Sequence, residues 1–303
     1  MKEFFLLLIN SRVFRCGIKH SSDTKYRYYD DIQIVELVLL SGLLVDYNFW
    51  KHVPNDIRSE SKFLSPEKYE MQTHLNNICN WSTLNQARIN EQKSSYIIFS
   101  RCKTDFVTRL KMNNNTLEQQ KAIKLLGIYI TETLSWQKNT EEMCKKAYKR
   151  LSLLTKLKYV GVKKEDLIDV YKLFIRSVLE YCSTVFHSSL TKYQSKMIEN
   201  VQVLCSKIIC GSEYTDYPSA LLDLGLSSLQ SRRENRILSF SKKCLQHPVH
   251  HNMFPLSDKF QNVTHNIRNL EKFSVNNAKT ESYKSSFIPY AQRRLNEDYK
   301  INS

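Results

Sequence analysis

Apolar positions recur at steps of three and four through the middle of this chain. Met143, Ala147, Leu151, Leu154 and Leu157 form one such stripe, the spacing of a helix face turned to a core. Gly161 marks its end. Leu167, Tyr171, Phe174, Val178, Tyr181 and Val185 repeat the pattern in a second helix, and Ile198, Val201, Leu204 (or Cys205) and Ile208 in a third that Gly211 stops. Three such helices with short connections predict a small bundle.

On either side the pattern is mixed. Lys25 to Glu36 reads as a strand, a tight turn and a second strand. Ser65-Pro66-Glu67 is a helix start, with serine as N-cap and proline at the first helical position. That helix is expected to run to about Leu84 and to bury Tyr69, Leu75, Ile78 and Trp81 or their close neighbours. Tyr96 to Phe99 reads as a buried strand. Ala122 to Ile130 reads as another, interrupted by Gly127. After the bundle, Ser228 to Gln246 reads as helix. His247 to Ser282 is polar and Asn-rich, and reads as loop or as chain disordered in isolation.

Composition narrows the classes. The chain has 303 residues, 42% of them hydrophobic, and only six Gly and six Pro. This suits about two domains with real cores, at roughly 100–200 residues each. Lys plus Arg exceed Asp plus Glu by 15, a surplus that favours a polyanionic partner, nucleic acid first. No apolar run approaches the ~18 residues of a membrane span. Met1 to Thr24 is an unassigned leader; its apolar stretch Phe4 to Ile9 lacks the length and cleavage site of a signal peptide. The eight cysteines show no CxxC spacing. They read as reduced thiols, which points to an intracellular location with the nucleus left open.

The surplus charge concentrates in the bundle. Residues 138–210 hold 14 Lys or Arg and 7 Asp or Glu, a difference of +7. Lys138, Lys145, Lys149 and Lys156 fall at steps of seven, four and seven, which lines one helix face opposite the apolar stripe. Such a face can meet phosphates or simply be solvated, and the residues alone leave those readings even.

Tyr28-Tyr29-Asp30-Asp31 is the other candidate chemistry. Adjacent strand residues point to opposite faces, so two neighbouring aspartates converge only at a bend. Taken alone, the pair is most simply a turn. Lys93 reads first as a solvated lysine before a strand. Cys244, His247, His250 and His251 lack zinc-finger spacing and read as a loop with incidental histidines. Phosphate-loop, GxSxG and HExxH motifs are absent.

These segments, in this order, resemble the C-terminal half of a non-LTR (LINE/jockey-like) retrotransposon reverse transcriptase. Tyr28-Tyr29-Asp30-Asp31 with Ile32-Gln33-Ile34-Val35-Glu36 looks like the catalytic aspartate hairpin. Trp81 to Asn90, then Lys93 and the strand to Arg101, is similar to the helix–loop–strand that follows it. Leu125-Leu126-Gly127-Ile128-Tyr129-Ile130 with Leu134-Ser135-Trp136 looks like the primer-grip region. Lys138 to Gly211 resembles the thumb, and Ser286-Phe287-Ile288-Pro289-Tyr290 with Arg294-Leu295-Asn296 the tail.

The resemblance implies an α+β, mainly helical fold. It would comprise a partial palm over 25–136, a three-helix thumb over 137–211 and a helical and irregular extension over 212–303. It also implies RNA or DNA as partner and Mg²⁺ held by Asp30 and Asp31. Lys93 would lie near the departing pyrophosphate, and Leu126, Gly127 and Trp136 in the primer grip. Lys138, Lys145, Lys149 and Lys156 would face nucleic acid.

In that family the fingers and the first catalytic aspartate precede the Asp-Asp hairpin, and no match to them occurs before Tyr28. The expectation is a truncated polymerase whose upstream half is its missing partner, inactive alone. Two carboxylates without the third repel each other, and one should have a raised pKa. Purified chain should therefore fail to extend a primer, and extension abolished by Asp30→Ala would overturn this. The alternative is a non-catalytic nucleic-acid-binding module, or a host protein derived from the element. Thr140 to Cys182 is also similar to a segment assigned as the N-terminal domain of AlkB-type nucleic-acid repair proteins. Their HxD iron motif does not occur here, so dioxygenase activity is not expected.

Overall fold

Two buried faces organise the chain, each in its own compact unit, and the division falls between Lys138 and Asn139. The computed structural model describes residues 39–40, 69–85, 89–97, 110–248, 250–257, 260, 271–275 and 280–302. The described residues are mainly helical with a few short strands, an α+β chain. Asp30, Asp31 and the whole candidate hairpin lie outside them, as does the predicted helix start at Ser65-Pro66.

In the first unit, helix α1 (Tyr69–Leu84) turns Leu75 fully inward. Leu75 packs with Ile89, Tyr96, Leu110, Met112 and Leu117, and Ile78 and Cys79 lean on that cluster. Trp81 is only half-buried. The strands here are short: β1 (Leu39–Leu40), β2 (Ser94–Tyr96), β3 (Lys111–Met112), β4 (Asn115–Thr116) and β5 (Glu118–Gln119). β2 is central, antiparallel to β1 and parallel to β5. It begins two residues before the expected Tyr96 start, and residues 98–99 lie outside the description. The Gln72 side chain fixes β3 on α1: Lys111 N–H donates to its Oε1 at 2.9 Å, and its Nε2 donates to Lys111 O at 2.6 Å.

The single strand expected over Ala122 to Ile130 is instead a hairpin. β6 (Ala122–Leu125) pairs antiparallel with β7 (Ile128–Thr131), with Leu125 opposite Ile128. Leu126 (φ 47°) and Gly127 (φ 92°) form the two-residue turn. Positive φ at both positions matches the twist of paired strands, so Gly127 reverses the chain and does not merely interrupt it.

α2 (Gln137–Tyr159) crosses into the second unit. Its buried stripe is Met143, Ala147 and Leu154, with Leu151 and Leu157 half-buried. Gly161 (φ 82°) ends it. Val162 N–H donates to Leu157 O and Gly161 N–H to Lys158 O, both at 3.1 Å. These two bonds satisfy carbonyls that a helix end leaves open.

The second predicted helix departs from an ideal α-helix. α3 (Lys164–Val170) widens into a π-helical segment, Tyr171–Arg176, then continues as α4 (Ser177–Leu179). Cys182 (φ 52°) breaks the run before α5 (Ser183–Phe186). Leu167, Tyr171, Ile175 and Leu179 are the fully buried stripe, whereas the expected Phe174 is 51% and Tyr181 44% exposed. A step of four residues drifts about 40° around an ordinary α-helix. The wider π turn removes that drift, so the inward face passes from Phe174 to Ile175.

The third helix, α6 (Lys192–Cys210), opens with a capping box between Thr191 and Gln194. It buries Ile198, Val201, Cys205 and Ile209. The core takes Cys205 over Leu204, and Ile209 over the expected Ile208. Cys144, Cys182, Cys205, Cys210 and Cys244 are buried free thiols. Burial raises the Cys144 and Cys244 thiols to about 11 and Cys205 to about 12.

The bundle does not stop at Gly211. α7 (Tyr217–Asp223) packs on α6, and α8 (Leu229–Gln246) packs on α5, α6 and the C-terminal helix. Gln202, fully buried on α6, accepts from Tyr171 O–H and donates to Tyr217 Oη (2.9 Å) and Ser227 O (3.0 Å). Glu199 accepts from Leu229 N–H (3.0 Å) and Gln230 N–H (3.2 Å), which satisfies open donors at the start of α8.

Of the stretch 247–282 expected as loop, residues 249, 258–259, 261–270 and 276–279 lie outside the described ones, and the rest is mostly irregular chain with one 3-10 turn (His251–Met253). α9 (Glu281–Lys284) leads to α10 (Phe287–Asn302). The Asn296 amide accepts from Phe273 N–H at 2.8 Å and donates to Phe273 O at 2.9 Å, so a helix side chain stands in for a strand neighbour. Leu256 and Phe273 form an isolated antiparallel bridge. Two polar stretches expected as loop are thereby tied to the core.

Candidate nucleic-acid interface

The basic face of α2 follows from the helical repeat. At about 100° per residue, Lys145, Lys149 and Lys156 lie within about 40° of one another and about 160° from Met143, Ala147 and Leu154. All three lysines are exposed. Lys145 has Glu142 at 4.0 Å, a solvated pair that contributes little. Lys149 and Lys156 have no ion-pair partner among the described residues. Exposed Tyr148 and Tyr159 border the face.

Other basic residues in the same stretch are committed to structure. Lys158 Nζ donates to Ile209 O at 2.8 Å and joins the C-terminal ends of α2 and α6. Lys164 pairs with Asp223 (2.7 Å) and Glu213 (3.2 Å). Lys172 pairs with Asp169, and Arg150 donates to the Phe174 carbonyl. The raw surplus of +7 therefore overstates what is free to meet a polyanion, and the α2 lysines are the part of the remainder that lies along one helix face.

Lys138 is exposed at the start of α2, with its Nζ 5.3 Å from the centroid of the Tyr129 ring. Lys124 Nζ lies 5.7 Å from the same ring. Lys124 and Tyr129 are opposite residues in the β6–β7 register. Ile123, Leu125, Ile128 and Ile130 turn inward, so alternation places Lys124 and Tyr129 on the other face. Sequence reasoning missed both; the signal was the hairpin itself, which a single-strand reading hides. Leu126 and Gly127 form its turn, and Trp136 is buried just before α2.

Lys93 ends a 3-10 turn (Glu91–Lys93) directly before β2. Among the described residues no group of three or more His, Cys, Asp or Glu gathers as a metal site. His247 and His250 stack, centroids 4.0 Å apart, while Cys244 is buried in α8. No described helix is long and apolar enough to cross a membrane. No family model, curated protein or solved structure matches this chain.

Proposed function

We propose that this chain binds nucleic acid through α2, and that it descends from the palm–thumb portion of a non-LTR reverse transcriptase. One observation carries the binding: Lys145, Lys149 and Lys156 stand exposed on the face opposite the buried stripe of their helix. A rigid helix with one face anchored presents its charges at fixed spacing, which suits a phosphate backbone. The order of the quoted motifs supports the lineage. Within it, Asp30 and Asp31 are the carboxylates for Mg²⁺, a cation that takes oxygen ligands and would stabilise charge on phosphoryl oxygens.

Binding should be electrostatic and salt-sensitive. With duplex DNA, log K should fall with log salt at a slope near −0.9 per neutralised phosphate. The triple substitution Lys145→Gln, Lys149→Gln, Lys156→Gln should flatten that slope by about 2.7 if each lysine meets one phosphate. Fluorescence anisotropy across a salt series measures both. A salt-insensitive association, or an unchanged slope in the triple variant, overturns the reading.

A further inference from the structure

Glu180 closes α4 and is buried, its side chain 7% exposed. Three arginines gather around it. Arg232 Nε donates to Oε1, and its Nη2 to Oε2 at 3.2 Å. Arg236 donates through Nη1 to the Glu180 backbone carbonyl at 2.8 Å and through Nη2 to Oε2 at 3.4 Å. Arg176, one turn back on the same helical run, has its Nε 4.0 Å from Oε2. That is too far for a hydrogen bond.

Three guanidinium charges thus meet one carboxylate. Glu180 is the only acid within 4.0 Å of any of them among the described residues. The local sum is 3 − 1 = +2. A structural ion pair needs one arginine, and the charge that one carboxylate leaves over favours a second anion beside the cluster. The arginines are also graded in exposure, with side chains 18% (Arg176), 33% (Arg232) and 42% (Arg236) exposed. The cluster therefore opens to solvent on its Arg236 side. Burial, and then Arg232 beside it, hold Arg176 below its ordinary pKa, while the hydrogen bond to Glu180 raises that of Arg232.

We propose that Arg176, Arg232 and Arg236, held in place by Glu180, form a phosphate-binding site. Resting on the nucleic-acid reading above, it takes a backbone phosphodiester. Glu180 is a positioning residue: it accepts from two of the arginines and leaves the remaining guanidinium N–H groups for the ligand. Arginine suits the role because its planar fork matches phosphate oxygens. This site is separate in residues from the α2 lysines, so the two can be tested independently.

The test uses the full chain and a fluorescein-labelled single-stranded DNA, with inorganic phosphate as the second probe. Arg236→Gln removes the most exposed arginine and leaves Glu180 paired with Arg232, so the fold should survive; circular dichroism checks this. The variant should bind the oligonucleotide roughly fivefold more weakly and lose roughly 0.7 from the salt slope. Arg236→Lys should fall between it and wild type, because it keeps the charge and loses the fork. Inorganic phosphate should raise the wild-type melting temperature more than that of Arg236→Gln. Oligonucleotide binding unchanged in Arg236→Gln but weakened in the triple lysine variant sinks the arginine site and keeps α2. The reverse pattern sinks α2 and keeps the arginine site. If the wild type binds no oligonucleotide, the function proposed above falls; a phosphate shift lost in Arg236→Gln then assigns the site to free phosphate, and equal shifts overturn it.

Discussion

Glu180→Gln should lower the stability of the helical unit by about 3 kcal/mol. The change is nearly isosteric, so packing is preserved and only charge is removed. Arg176, Arg232 and Arg236 would then repel one another around a neutral amide that can accept through only one atom. Breaking a buried ion pair from one side costs about 3–5 kcal/mol. The lower end applies because Arg232 and Arg236 still reach water, with side chains 33% and 42% exposed. Urea denaturation at neutral pH, followed by far-UV circular dichroism, measures it. A loss under about 1 kcal/mol, the level of a surface pair, would show that Glu180 is not the electrostatic keystone of the unit.

Acid should weaken the same unit through His187. Arg233, fully buried, donates from Nε to His187 Nδ1 at 3.2 Å and from Nη2 to Ser195 Oγ at 3.1 Å. The His187 ring stands edge-on to Tyr290, centroids 6.1 Å apart. Nδ1 can accept only while the imidazole is neutral. Burial first, then the Arg233 and Arg294 charges, push its pKa down to about 3. The unfolded chain protonates near 6.5, so it takes up a proton that the folded state refuses. Stability is complete above about 6.5 and is lost as pH falls from there toward about 3. At pH 5 the loss from this residue should be about 2 kcal/mol. Carboxylates also titrate in acid, so the informative quantity is a difference. His187→Gln retains an acceptor for Arg233 and does not titrate, and its midpoint should fall less steeply with pH than the wild type's. Parallel profiles would remove His187 as the cause.

Regular helices with strong periodicity were legible in the residues. α2, α6 and α8 lie where the residues predict helix, and Gly161 ends α2 as its φ of 82° permits. What escaped was geometry that periodicity does not encode. A repeat of 3.6 residues places Phe174 inside; the widened turn puts Ile175 there. One glycine in an apolar run admits either a weakened strand or a reversal, and only the pairing of Lys124 with Tyr129 decides it. The arginine cluster was hidden for another reason. Arg176–Glu180 and Arg232–Arg236 are each ordinary four-residue spacings, and only the fold brings 180 to 232. The described residues of the polar stretch 247–282 are mostly irregular, as its composition suggests; what composition does not encode is the pairing of Phe273 with the Asn296 amide, more than twenty residues away. The α2 lysines were visible as a stripe. Which of the fourteen basic residues remain uncommitted required the partners of Lys158, Lys164 and Lys172.

The π-helical segment works as a phase corrector. It accommodates an additional residue within one turn, so Leu167 before it and Leu179 after it address the same interior. The displaced side chains, Leu173 at 69% exposure and Phe174 at 51%, are pushed out to water. Deleting one residue between Tyr171 and Arg176 would let a plain α-helix run through while both flanks kept their alignment. The stretch can therefore change length by a single residue without disturbing either neighbour, a latitude that the evenly wound α2 and α6 lack.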